Sequence, residues 1–185
     1  MKSLMKHLLG VCWLSILGVS VNAFALPIDL TTSTGGSFGG LLLEGADSPR
    51  VGVILMHGLG GTPDSSVVLQ MRYSLNNSGY TTLSIENPIP ADANGNGVFT
   101  DFSDYTADVR FGANSVFPEM HERVQASLDY FETLGIEQAV IGGFSLGSRF
   151  ATEFVARGQQ SGDMPVAGLI GVGMYGNSID HTTSY

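Results

Sequence analysis

Ser145 stands at the centre of Gly143-Phe144-Ser145-Leu146-Gly147. The apolar run Gln138-Ala139-Val140-Ile141-Gly142 leads into it, and a helical pattern from Leu146 to Arg157 follows. A serine on a sharp turn from strand to helix is a nucleophile elbow, the arrangement that carries acyl transfer through a covalent intermediate. So tight a turn strains the serine backbone and leaves no room for side chains two positions before and two after, where Gly143 and Gly147 stand. The bend lifts Oγ clear of the strand and sets the first N–H groups of the helix, that of Leu146 among them, beside it. One short segment thus supplies a candidate nucleophile and half of an oxyanion hole.

Context has to carry this reading, because about a third of a G-x-S-x-G match is expected by chance in a 185-residue chain with 25 glycines. Gly35-Gly36-Ser37-Phe38-Gly39 also matches the pattern. No apolar strand precedes Ser37 and no helix follows it, so Ser37 reads as part of a turn or early strand.

A serine hydroxyl attacks only when a histidine takes its proton and a carboxylate orients that histidine. His181 is the only histidine after Ser145, and Asp180 is its nearest acid. Neighbours in an extended chain point to opposite sides, so Asp180 does not orient His181 while both address Ser145. His121, between Glu119 and Glu122, reads as a solvated helix residue. Lys2 and Lys6 are the only lysines and belong to the leader described below, which excludes a Ser-Lys dyad.

The elements that must position these groups alternate strand and helix, which points to a mostly parallel sheet covered by helices. An extended segment spans about Phe38 to Glu44. Val51 to Met56 is the continuous apolar run of a parallel strand and ends at His57-Gly58-Leu59-Gly60-Gly61-Thr62-Pro63. Asp64 or Ser65 then caps a helix bearing Val67, Val68, Met71 and Leu75 at helical spacing, closed by Asn77 to Gly79. Tyr80 to Ile85 is the next strand, and a polar loop from Asn87 to about Ala107 is long enough to imply a purpose. A helix from about Phe117 to Leu134 aligns Met120, Val124, Leu128 and Phe131 and stops at Gly135. The elbow strand, the elbow helix and a strand from Val166 to Val172 complete the series, with the elbow placed near the centre of the sheet.

An apolar strand ending in His57-Gly58, followed about ninety residues later by strand, elbow and helix, resembles the α/β-hydrolase superfamily, and its exported bacterial members in particular. The resemblance implies that the loop after the His-Gly pair gives the second oxyanion donor, here the Leu59 N–H converging with that of Leu146. His57 and Gly58 are its supporting motif, with His57 structural rather than a proton acceptor. The order in the family is serine, then acid, then histidine, on loops after further strands. Some members keep the acid after the strand that follows the elbow, which makes Asp180 a candidate acid. Only one strand is legible after the elbow, so the expectation is an incomplete α/β-hydrolase domain over residues 26–185, its true acid and base lying beyond Tyr185 and the 185-residue chain inactive alone.

Composition narrows the partners. Lys2 and Lys6, the apolar stretch Leu8 to Val21 and Ala23-Phe24-Ala25 form a signal peptide over residues 1–25 with cleavage after Ala25. Cys12 falls within it, so the mature chain has no cysteine, as suits a periplasmic or secreted protein without disulfides. Six arginines then face seventeen acidic residues, a net charge of −11. That balance argues against nucleic acid or an anionic membrane as partner, and no stable membrane anchor remains after cleavage.

Two further patterns are shallow. Asp92-x-Asn94-x-Asn96-Gly97 opens like a calcium loop, but Ser103 occupies the twelfth position where a bidentate glutamate is needed. Gly171-Val172-Gly173-Met174-Tyr175-Gly176 fits a dinucleotide fingerprint without the helix or distal acid that binding requires. No metal and no cofactor are expected. The sequence therefore points to a serine hydrolase acting on a small-molecule ester or acyl substrate, with Phe144 and the Asn87 to Ala107 loop shaping the acyl pocket. A noncatalytic binding protein or inactive fragment on the same fold is the alternative.

Overall fold

The computed structural model describes residues 24–46, 50–88, 116–158 and 164–173. The expected signal peptide up to Ala23, Cys12 within it, most of the long loop with its calcium-like run, Asp180, His181 and the end of the dinucleotide-like pattern lie outside the described residues.

Six strands form one sheet among the described residues. They are β1 (Leu26–Thr31), β2 (Ser37–Leu43), β3 (Val51–Met56), β4 (Thr81–Ile85), β5 (Gln138–Phe144) and β6 (Val166–Val172), in the spatial order β1-β2-β4-β3-β5-β6. The first two strands and the β2–β4 pair are antiparallel, while β4, β3, β5 and β6 run parallel. The helices are α1 (Ser66–Asn77), α2 (Phe117–Thr133) and α3 (Leu146–Glu153), the last continuing into a π-helical turn, Phe154–Gly158.

Side-chain alternation along β3 divides the core in two. Ile54 and Met56 join the large cluster that includes Met120, Val124, Leu128 and Phe131 of α2 and Phe150 and Ala151 of α3. Val53 and Leu55 face the other way, onto Val68, Met71 and Leu75 of α1. The four α2 residues are fully buried, and each contributes about 1.5–3 kcal/mol by leaving water. Gly52 accommodates the Phe131 ring, which a Cβ at that position would strike.

This division positions the site. The chain leaves β3 towards α1 on one face and leaves the adjacent β5 towards α3 on the other. Loops that part at the carboxyl ends of neighbouring parallel strands open a crevice, the topological switch point where open α/β sheets take their ligands.

Three features depart from expectation. The first strand is β1, which reads weakly in sequence because only Leu30 of its six residues is buried and Pro27 sits at its start, as edge strands allow. Ser37, as expected, is early strand: it opens β2 after a turn closed by the Gly35 N–H on the Thr32 carbonyl at 2.9 Å. The helical pattern to Arg157 is interrupted after Glu153 by the π turn, which keeps Phe154 fully buried. The elbow strand is second from the β6 edge of the described sheet rather than at its centre, flanked on both sides by parallel neighbours.

Candidate active site

The last register pair of β3 and β5 is Met56 with Gly143, so the chain emerging from β3 as His57-Gly58-Leu59 runs beside Phe144-Ser145-Leu146. Ser145 bends the backbone between β5 and α3 at φ +52° and ψ −112°, the only non-glycine with positive φ among the described residues. A strained conformation at one serine persists only where its surroundings over-determine it. Here they do. The Ser145 N–H donates to the Val172 carbonyl at 2.8 Å, and the Ser145 carbonyl accepts the N–H groups of Ser148 at 3.1 Å and Arg149 at 3.3 Å.

The flanking glycines are required by contact. A Cβ on Gly143 would reach 2.7 Å from the Ser148 nitrogen, and one on Gly147 would reach 2.7 Å from the His57 carbonyl oxygen and overlap the Met56 carbonyl. The first turn of α3 therefore rests directly on backbone at the end of β3. A Cβ at Gly58 would lie 3.0 Å from the Phe144 ring and 3.4 Å from Ser145 Cβ, which sets the loop after β3 against the elbow.

That loop makes a tight turn. The Gly61 N–H donates to the Gly58 carbonyl at 3.1 Å, with Gly60 at φ +66°. The turn consumes the Gly61 amide and leaves that of Leu59 without a backbone partner among the described residues. The Leu146 amide, first in its helix, likewise has no carbonyl four residues back. Leu59 and Leu146 are both half-buried with their side chains packed on the large core cluster, which anchors the two amides from beneath.

His57 is buried and spoken for. Its Nδ1 lies 2.8 Å from the Gly58 carbonyl, and its Nε2 accepts the Asn87 N–H at 3.1 Å. Those partners assign the neutral tautomer with the proton on Nδ1. Burial pushes the His57 pKa below its ordinary value, as does Arg123, against opposing effects of the Gly58 hydrogen bond and Glu86. The Asn87 side chain clamps the same corner by donating Nδ2 to the His57 carbonyl at 2.7 Å. Neither ring nitrogen is free to receive a proton from Ser145.

His121 is not the solvated residue expected from its acidic neighbours. It is half-buried with its ring edge-on to Phe154 at 5.5 Å, because α2 turns it towards the π turn after α3. Burial lowers its pKa, with Glu153 opposing and Arg157 reinforcing the effect. Asp180 and His181 lie outside the described residues. Among the described residues no group of three or more His, Cys, Asp or Glu is set to hold a metal ion.

Three residues with no sequence signal shape this corner. Asn87 fixes His57. Arg72, fully buried on α1, donates to the Pro63 carbonyl at 3.0 Å and to the Asp64 carboxylate, tying down the far end of the loop after β3. Ser148 bonds the tips of β5 and β6. A strained serine and two amides without backbone partners among the described residues, at the switch point between β3 and β5, form a site suited to attack on a carbonyl carbon.

A family of phospholipases and carboxylesterases matches residues 42–176 of the chain. No curated protein matches it. Among solved structures it is similar to an alpha-beta serine hydrolase homologue from Coxiella burnetii, at 20% identity and TM-score 0.54, with 79% of this chain and 61% of that one covered. A highly thermostable carboxyl esterase from Bacillus coagulans gives 18% and 0.54, covering 80% and 44%. A soluble variant of monoglyceride lipase from Saccharomyces cerevisiae gives 19% and 0.55, covering 81% and 44%. The chain spans about half the length of the solved structures it matches. These likenesses establish the α/β-hydrolase fold.

Proposed function

We propose that this chain, which belongs to the phospholipase/carboxylesterase family, serves as a serine hydrolase that cleaves carboxylic esters through an acyl-enzyme on Ser145. The single observation that carries the reading is the Ser145 backbone, held at φ +52° between β5 and α3 with Gly58 against it. The Ser145 Oγ attacks the ester carbonyl as its proton leaves to a histidine. The tetrahedral oxyanion draws on the Leu59 and Leu146 amides, each contributing about 3 kcal/mol to the transition state. The leaving alcohol takes up the proton, and water then releases the acid by the same route in reverse roles. The histidine and its carboxylate come from outside the described residues, since His57 is committed to Gly58 and Asn87 and His121 packs on Phe154. No cofactor enters the scheme. Export belongs to the same reading, with residues 1–25 removed.

A fluorophosphonate probe tests it on the protein purified from its host. Labelling at Ser145, abolished in Ser145→Ala, is the expected result, with weak labelling of the isolated 185-residue chain. A folded host-made protein that leaves Ser145 unmodified would overturn the hydrolase assignment in favour of a noncatalytic binding protein.

A further inference from the structure

We propose that Ser148 is the positioning residue that holds the strained Ser145 backbone, by fastening the elbow to the tip of β6. Ser148 lies one turn into α3 and is fully buried. Its hydroxyl donates to the Gly143 carbonyl at 2.6 Å, with the Val172 carbonyl also in reach at 3.0 Å, and accepts the Val172 N–H at 3.1 Å. The Val172 carbonyl in turn takes the Ser145 N–H at 2.8 Å. A single side chain therefore closes a polar ring through three backbone segments: the end of β5, the first turn of α3 and the end of β6.

The ring forms where the β5–β6 ladder ends at the elbow. Phe144 pairs with Val172 as the last register position of β5 and β6, and the chain then turns out of the sheet at Ser145. The Ser145 N–H on the Val172 carbonyl is the last backbone rung there, and the Ser148 hydroxyl adds a side-chain bond to the buried Gly143 carbonyl and another to the Val172 amide beside it. The Ser148 hydroxyl has both a donor and acceptor lone pairs, so it satisfies the two at once. An alanine fits the same space and can do neither. Without the hydroxyl the β6 tip is free to drift, and the acceptor of the Ser145 N–H drifts with it. The serine is then released towards an ordinary φ that points Oγ away from the Leu59 and Leu146 amides.

This proposal rests on Ser145 as nucleophile for its kinetic consequence and on geometry alone for its structural one, so two measurements separate them. The first is amide hydrogen exchange. In Ser148→Ala the Ser145 and Val172 amides should exchange at least about tenfold faster, while amides of Met120 to Leu128 in α2 keep their protection. Unchanged exchange at Ser145 overturns the proposal whatever the activity. The second is single-turnover fluorophosphonate labelling and ester hydrolysis by the host-made protein. A misplaced reacting group costs up to about 100-fold, so Ser148→Ala should lose about 10- to 100-fold in labelling rate and kcat with KM changed less than about threefold. Should Ser148→Ala fail to fold, Ser148→Cys keeps the volume with a weaker donor, and an intermediate labelling rate is expected. Wild-type labelling in either folded variant overturns the proposal. An unlabelled wild type refutes the hydrolase reading instead, and hydrogen exchange alone then decides the role of Ser148.

Discussion

The two described histidines are placed to be neutral. Both have pKa values below the ordinary one of about 6.5, and in both burial is the leading cause. The unfolded chain takes up protons as pH falls through that value while the native state resists them. Their contribution to stability is thus complete above about pH 6.5 and is lost as pH drops from there towards the folded values. Urea unfolding at pH 7.5 and 5.5 should show a lower midpoint at the acid value, each histidine adding at most about 1.4 kcal/mol per pH unit to the slope. In His121→Phe part of that slope should vanish. An unchanged slope would mean that the His121 ring is protonated in the folded state. For His57 the same neutrality has a functional side, because the ring acts as a brace between Gly58 and Asn87 and sequence gives no hint of the Asn87 half of that brace.

At the scale of elements, the decisive contact is α3 on the end of β3. Gly147 meets the carbonyl groups of Met56 and His57, which are backbone and cannot yield. Gly58 meets the Phe144 ring, which can rotate aside. The two positions should therefore respond differently to alanine. Gly147→Ala should cost about 3 kcal/mol or more in a thermal or urea melt, as overpacking against fixed atoms does. Gly58→Ala should cost about 1 kcal/mol yet slow probe labelling about tenfold or more, because its methyl would sit 3.4 Å from Ser145 Cβ. A Gly147→Ala protein that melts with the wild type would contradict the close approach. The strands β3 and β5 were legible from unbroken apolar runs, since burial on both faces leaves few polar interruptions, and β6 was legible from its apolar run although none of its residues is buried. β1 was not, since one buried residue in six makes no pattern. Nor was the π turn, because Phe154 and Val155 satisfy a helical repeat equally well before the extra residue is inserted.

For the molecule as a whole, cleavage after Ala25 would leave β1 intact from its first residue, Leu26, which pairs with Leu42. On the proposed export, the protein recovered from its host should show a mature N-terminus at Leu26 by intact mass and terminal sequencing, and retention of Met1 would count against the signal peptide. The sheet then presents the candidate site where the paths out of β3 and β5 part. By itself the sequence determined the elbow, its two obligatory glycines, the apolar strands and the alternation that makes a parallel sheet, because each is a local demand on side-chain size or water exposure. Tertiary structure alone decided that Gly58 lies against Ser145, that Asn87 immobilises His57 and that Ser148 binds the β6 tip to the elbow. Those are contacts between residues 24 to 87 positions apart, and a hydroxyl or amide carries no mark in sequence of the distant backbone group it will satisfy.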